Sequence, residues 1–381
     1  MSAQGGEGGA LRNRFDRGPG CYLLNHSVGR PPVGSREAFT AAFYEPWLSG
    51  VGEPWPAWLA AVERFRSALG KLLGARSDDL CPQPDVSMGF ARVLQCVPGL
   101  TSRRKILLSE RAFPSLGFVV ERARNLGLEP CFLPAGVDER DPAAWRPWIT
   151  DDIALVLVTQ VQSNTGVQVP VAAVCDIARE RGALSVVDAA QAVGILPVDV
   201  SGLGADFLLG SCVKWLCGGP GAGFLWVDRA LVQRCEPDAI GWFSHADPFA
   251  FDIHDFRYHP GALRFWGGTP SIAPYALAAH SLEVLLEVGV PRIRRHNLML
   301  GDRLRAAVPG ESLSSPAAAC ERSGTVILDF GRANDAVAAA LAKAGVQADR
   351  RASGFRLSPH IYNDEADIDT ALAALRAAGV A

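Results

Sequence analysis

Apolar positions recur at helical spacing over residues 57–74, where Leu59, Val62, Phe65, Leu69 and Leu72 share one face and Gly74 stands as a stop signal. Between 100 and 230 the pattern changes to short apolar runs: Lys105–Ser109, Ala154–Gln160, Leu184–Asp188, Phe207–Gly210 and Gly223–Val227. Amphipathic stretches such as 115–126 and 171–181 separate several of these runs. Strands that are apolar on both faces and alternate with helices predict a mostly parallel sheet covered on both sides. From 275 the pattern changes again. Helices are expected over 275–288, 291–307 and 334–344, strands over Thr325–Phe330 and Phe355–Ser358, and a last helix from about 364 with Asp364, Glu365 and Asp367 in its first turn. The chain therefore reads as α/β, with a large sheet domain and a smaller C-terminal α+β domain.

The same pass divides the chain. Residues 1–20 are Gly-rich and read as a disordered tail. Residues 21–54 are rich in Pro, Gly and aromatics and are expected to pack on the small domain or on a dimer partner. The large domain is expected over 55–274 and the small one over 275–381. A chain of 381 residues with 49% hydrophobic and 20% charged residues has the composition of a soluble globular protein. A formal net charge of −3 gives no electrostatic reason to expect nucleic acid or an anionic membrane as partner. Nine cysteines without a CxxC pair read as reduced thiols and a cytoplasmic location. No apolar run approaches a membrane span.

Two segments carry the chemistry. Residues 185–191 read Ser-Val-Val-Asp-Ala-Ala-Gln, and 206–215 read Asp-Phe-Leu-Leu-Gly-Ser-Cys-Val-Lys-Trp. Each delivers one charge, Asp188 and Lys214, to the end of a buried strand. Ligands of open α/β sheets sit beyond those ends, and unpaired buried charges are costly. A lysine that forms a Schiff base and a carboxylate that faces a pyridinium nitrogen are what pyridoxal 5′-phosphate (PLP) needs.

Around that pair, Ser87-Met88-Gly89-Phe90 opens a helix whose amides suit the phosphate, and Ser211 adds a hydroxyl. The Gly-rich stretch 218–223 reads instead as a tight turn between neighbouring strands. Phe113, after the strand Lys105–Ser109, reads either as a buried core residue or as an aromatic that stacks on a flat ring. Asn164 follows another strand. Arg356 lies in an apolar strand, where it needs an anion: a substrate carboxylate, or an internal Asp or Glu. Residues 241–255 gather His245, Asp247, Asp252, His254 and Asp255 at spacings of no common zinc pattern. They read as a pocket-lining loop, and no metal is expected.

Val-Val-Asp-Ala-Ala-Gln, then Ser-Cys-Val-Lys-Trp-Leu-Cys-Gly-Gly-Pro-Gly, Gly-Gly-Thr-Pro-Ser-Ile and Arg-Leu-Ser-Pro-His-Ile-Tyr-Asn occur in an order that resembles the fold-type I PLP enzymes of the aminotransferase class V superfamily. The likeness runs over about 20–381. Gly241-Trp242-Phe243-Ser244-His245, Pro248-Phe249 and Phe113-Pro114-Ser115 resemble its kynureninase-like branch, as does the pattern of Asp349 and Arg351 before Arg356. The resemblance implies a seven-stranded-type sheet and a homodimer with shared active sites. It implies an α-amino acid substrate and cleavage at its β-carbon, with aminotransfer, C–S lysis or epimerisation as alternatives. Lys214 and Asp188 would be catalytic, Gln191 would reach the ring hydroxyl, and Phe113 would stack on the ring. Thr269 would reach the phosphate of the neighbouring subunit. Asn164, Arg356 and Asn25 would hold the substrate, and Trp242 would line its side-chain pocket. The chain departs from the kynureninase pattern at Leu116, where an aspartate is usual, and at Val213, where a tyrosine is usual. Residues 346–355 lack the cysteine that desulfurases use for sulfur transfer.

Overall fold

The computed structural model describes residues 11–381. Seven strands form the large sheet: β1 (Leu80–Gln83), β2 (Lys105–Ser109), β3 (Glu129–Leu133), β4 (Ile153–Thr159), β5 (Leu184–Asp188), β6 (Phe207–Ser211) and β7 (Gly223–Val227). Their order is β1-β7-β6-β5-β4-β2-β3. β2 to β6 run parallel, and β7 is antiparallel to both neighbours. The Gly-rich stretch 218–223 makes the turn from β6 to the adjacent β7, as its composition indicates. Every residue of β4 and β7 is buried, as a sheet covered on both faces requires.

Helices α1 (Trp55–Leu73), α2 (Val86–Leu100), α3 (Pro114–Arg122) and α4 (Val171–Glu180) belong to this unit. In α1, Val62, Phe65, Leu69 and Leu73 are buried, and Gly74 closes the helix in the left-handed region at φ 65°. The expected domain boundary at 275 is not where the two cores part. Helix α5 (Ala273–Val288) packs along α1, with the rings of Phe65 and Tyr275 5.0 Å apart, and its buried residues belong to the large core.

A second core forms around α6 (Val290–Ala306), α7 (Asn334–Lys343), α8 (Glu365–Ala377) and a three-stranded antiparallel sheet in the order β9-β10-β8. These strands are β8 (Val326–Leu328), β9 (Asp349–Arg351) and β10 (Gly354–Leu357). Asp364 caps α8 by accepting from the Asp367 amide.

The N-terminal segment joins this second core. Cys21–Tyr22 pairs in parallel with Val346–Gln347, and Leu24 bridges to Ser358. Residues 11–20 of the expected disordered tail are ordered. Phe15 is buried against His360 and Tyr362, Arg14 pairs with Glu287, and Arg12 pairs with Asp364. Residues 1–10 of that expected tail lie outside the described residues. Beyond Tyr22 the segment crosses to the large sheet, where the Gly29 amide donates to the Val213 carbonyl at 2.8 Å. A Cβ at Gly29 would collide with the Lys214 carbonyl oxygen and Cys217 Sγ, so only glycine permits this approach.

Candidate active site

The register of the parallel strands builds the site. Thr159 pairs with Asp188 across β4 and β5, and Asp188 pairs with Leu209 across β5 and β6. The chain leaves β6 at Ser211 and turns, carrying Lys214 back over the carboxyl edge. A cavity of about 380 Å³ opens there. Lys214, Asp188, Gln191, Phe113, Ser87 and Ser211, all singled out in the sequence, line it together. Thr159, Ser163 and Asp85 line it too and were not singled out. Thr159 sits at the end of an apolar run whose length hides its one inward hydroxyl.

Burial raises the pKa of the Asp188 carboxyl, while the Ala190 amide, donating to Oδ1 at 3.0 Å, and the nearby Lys214 pull it back. Burial also lowers the pKa of Lys214. Asp188 opposes that effect and Arg356 adds to it. Lys214 has no hydrogen-bonding or ion-pair partner among the described residues; its Nζ lies 5.8 Å from the centre of the Phe113 ring. The Thr159 hydroxyl is likewise buried without a partner. Gln191 is committed at both ends, donating from Nε2 to the His26 carbonyl at 2.9 Å and accepting at Oε1 from the Trp215 indole at 2.9 Å. One hydrogen of its amide is left for another acceptor.

The start of α2 divides the expected phosphate residues. Ser87 reaches the cavity, whereas the Met88 side chain is exposed and Phe90 is fully buried in the core. Gly89 is packed so closely that a Cβ would lie 2.7 Å from Leu209 Cδ2. Asp85 caps the helix, with its Oδ1 accepting from the Met88 amide at 2.8 Å. Ser87, Ser211 and the remaining amides of this helix start are the groups suited to an anion.

The expected substrate residues separate. Arg356 is buried in β10, with Nε donating to Asp349 Oδ1 at 2.8 Å, Nη2 to Asp349 Oδ2, and Nη1 to the Ser163 carbonyl at 3.2 Å. The internal anion foreseen as an alternative partner is thus present. Asn164 is exposed beside Ser163, and its backbone carbonyl accepts from Ser353. Asn25 is spent elsewhere: its Nδ2 donates to the Ser358 carbonyl at 2.8 Å and its Oδ1 accepts from the Tyr362 hydroxyl. It fastens the N-terminal segment and does not line the cavity. Trp242 is also away from the cavity. It packs among Trp55, Phe243, Phe249 and Phe251, and its indole donates to the Thr269 hydroxyl at 3.2 Å. The loop 240–256 encloses a separate cavity of about 200 Å³, which shares no lining residue with the first.

Both departures from the kynureninase pattern, Leu116 and Val213, line the cavity beside Lys214. Its wall is apolar at the two positions where the resemblance leads one to expect a polar residue.

Comparison with known proteins agrees with this architecture. The cysteine desulfurase of Thermococcus onnurineus superposes with a TM-score of 0.82 at 22% identity, covering 94% of each chain. A point variant of C-DES with glycine covalently linked to its PLP cofactor gives 0.85 at 20% identity, covering 97% of this chain and 99% of that one. At such identities the likeness speaks for the fold. The kynureninase of Deinococcus radiodurans is 30% identical over 373 residues, 93% of this chain and 89% of that protein. That of Pseudomonas fluorescens is 30% identical over 303 residues, 77% of this chain and 71% of that protein. The family model for aminotransferase class V matches residues 57–370, and the chain belongs to that family.

Proposed function

We propose that this protein is a PLP-dependent enzyme that acts on an α-amino acid and cleaves it at the β-carbon, in the manner of kynureninases. The observation that carries the reading is the pair of charged groups, buried Asp188 and half-buried Lys214, facing one cavity while the amine has no partner among the described residues. Maintaining such a pair is expensive unless a ligand completes it.

The residues present fit the cofactor. A partnerless hydroxyl at Thr159, a partnerless amine at Lys214 and a half-exposed aromatic face at Phe113 surround a space of about 380 Å³. When bound, PLP supplies an aldehyde for an amine and a protonated ring that draws electrons from the substrate Cα. Lys214 would hold that aldehyde and, once released, would move the proton at Cα, and the burial that lowers its pKa favours the free amine those tasks use. Asp188 would face the ring nitrogen with a carboxylate and favour its protonated form. Phe113 would flank the ring, Gln191 would offer its remaining amide hydrogen, and Ser87 and Ser211 would take the phosphate. Arg356 grips the α-carboxylate of the substrate.

Leu116 and Val213 favour a second reading in the same family, in which a different outcome follows at the same carbon: aminotransfer, C–S lysis or epimerisation. The working unit is proposed to be a homodimer with shared sites. The face where exposed Phe249, Phe251 and Thr269 surround half-buried Trp242 supports this. Nine free cysteines support a reducing, cytoplasmic setting. No helix among the described residues is long and apolar enough to cross a membrane.

Visible absorbance of the purified protein with PLP, alone and with kynurenine, cysteine or alanine, tests the proposal. A protein that stays colourless with PLP defeats it. Alanine released from kynurenine supports kynureninase-like cleavage. Pyruvate indicates elimination, and a requirement for an amino acceptor indicates transfer. Uptake of PLP with no product from any amino acid identifies a PLP-binding protein without turnover.

A further inference from the structure

Arg356 does not reach the site on its own. Its guanidinium has five N–H donors. Asp349 takes the side edge formed by Nε and Nη2, and the Ser163 carbonyl takes one hydrogen of Nη1. One donor remains on each of Nη1 and Nη2. Arg356 itself does not line the cavity; Ser163, whose carbonyl it touches, does, so the guanidinium lies one residue behind the wall.

Asp349 is held in turn. Its Oδ1 is 2.8 Å from His26 Nε2, and His26 Nδ1 is 2.6 Å from Ser358 Oγ, itself 2.8 Å from Thr325 Oγ1. One assignment satisfies the whole run: Thr325 donates to Ser358, Ser358 donates to Nδ1, and the Nε2 hydrogen points at Asp349. The backbone carbonyl of His26 accepts from Gln191, which lines the cofactor side of the cavity. His26 therefore ties the carboxylate-binding side to the cofactor side through two different groups of one residue.

Resting on the PLP reading above, we propose that Asp349, oriented by His26, is a positioning residue for Arg356. It locks the side edge of the guanidinium so that the terminal edge meets the α-carboxylate of the substrate. Asp349 is thus not the anion that Arg356 is there to bind. It is the clamp that aims the arginine, and the arginine's remaining donors carry the recognition.

The test compares two probes on the PLP-loaded protein: L-alanine and ethylamine, which is alanine without its carboxylate. Each is titrated against the visible absorbance band, so no turnover is needed. Wild type is expected to prefer L-alanine. Arg356→Gln abolishes the preference. Asp349→Asn keeps the size of the side chain and lowers the preference at least tenfold, with ethylamine affinity and the cofactor band unchanged. His26→Ala lowers it less, by threefold or more. With a cleaved substrate, Asp349→Asn raises KM more than it lowers kcat. An Asp349→Asn protein that keeps the wild-type preference overturns the proposal. So does one that binds L-alanine more tightly, which would make Asp349 a competitor. If Asp349→Asn fails to fold, the His26→Ala result decides on the same criterion. A wild-type protein with no PLP band is a different failure, that of the functional reading itself.

Discussion

The carboxyl edge of the large sheet and the seam between the N-terminal segment and the small core treat polar groups in opposite ways. At the sheet edge, Lys214 and the Thr159 hydroxyl have no protein partner, and Asp188 accepts from one backbone amide. At the seam, Asn25, Asn363 and Ser358 are fully engaged, and His26, Asp349 and Arg356 form one connected network. Buried polar groups are normally satisfied. The sheet edge breaks that rule where a ligand is needed; at the seam the His26–Asp349–Arg356 network keeps it, although His360 Nδ1 beside it has no partner. The first region trades stability for chemistry, and the second supplies rigidity.

Substitutions can break or sharpen this contrast. Lys214→Ala should show the largest effect: loss of the cofactor absorbance band and a fall in turnover of at least about a hundredfold, the low end for a positioned acid–base group. A retained band would remove Lys214 from its role. Asp188→Asn should cost roughly 10- to 100-fold in kcat, matching the loss of a charge-assisted hydrogen bond of about 1.5–3 kcal/mol, with the fold intact by circular dichroism.

Stability should respond in the reverse sense. Lys214→Met should make the cofactor-free protein more stable by about 1–4 kcal/mol near neutral pH, because it removes a poorly compensated buried charge. The pH dependence follows from the direction of the shift. Burial holds the folded-state pKa of Lys214 below its ordinary 10.5, with Asp188 opposing and Arg356 assisting. The unfolded chain then keeps its proton more readily, so the penalty is full below the folded pKa and disappears as pH rises to 10.5. Denaturant titrations should therefore show the variant's advantage shrinking over that window. An advantage independent of pH would assign it to packing alone.

Asn25→Ala should cost about 1–3 kcal/mol in unfolding experiments, leaving the Tyr362 hydroxyl hydrogen without its acceptor and the Ser358 carbonyl without the Asn25 donor, while the cofactor band persists. A lost band would mean the two regions are one. The smallest effect is expected on the outer surface. Arg64→Ala, breaking an exposed pair with Glu283 between α1 and α5, should cost less than about 1 kcal/mol.

How much of this was legible in the sequence follows from the same division. The inner strands β2, β4, β5, β6 and β7 announce themselves as apolar runs because both their faces are buried. β1 and β3 do not, since each is a sheet-edge strand carrying a proline, Pro82 and Pro130. β9 reads Asp-Arg-Arg and has no apolar signature at all. The site was legible where a charge stood at the end of an apolar run, as at Asp188 and Lys214. Asn25 and Trp242 came from likeness to relatives, and in this chain both are held by partners outside the cavity. Asp349 was visible only as part of a pattern. Its pairing with His26 spans 323 residues and no local spacing could suggest it. The ordered stretch 11–20 was hidden in Gly-rich composition, although Phe15 is its buried anchor.

The partnerless amine at Lys214 has one more consequence. The chain has only four lysines, Lys71, Lys105, Lys214 and Lys343, and arginine supplies its other basic side chains. Of these four, Lys214 lines the cavity beyond the sheet and is pushed toward the neutral, nucleophilic form. A reactive aldehyde probe shaped to that cavity should therefore label this protein at a single residue. Mass spectrometry of the modified peptide would then report occupancy of the site in a crude extract, before any substrate is known.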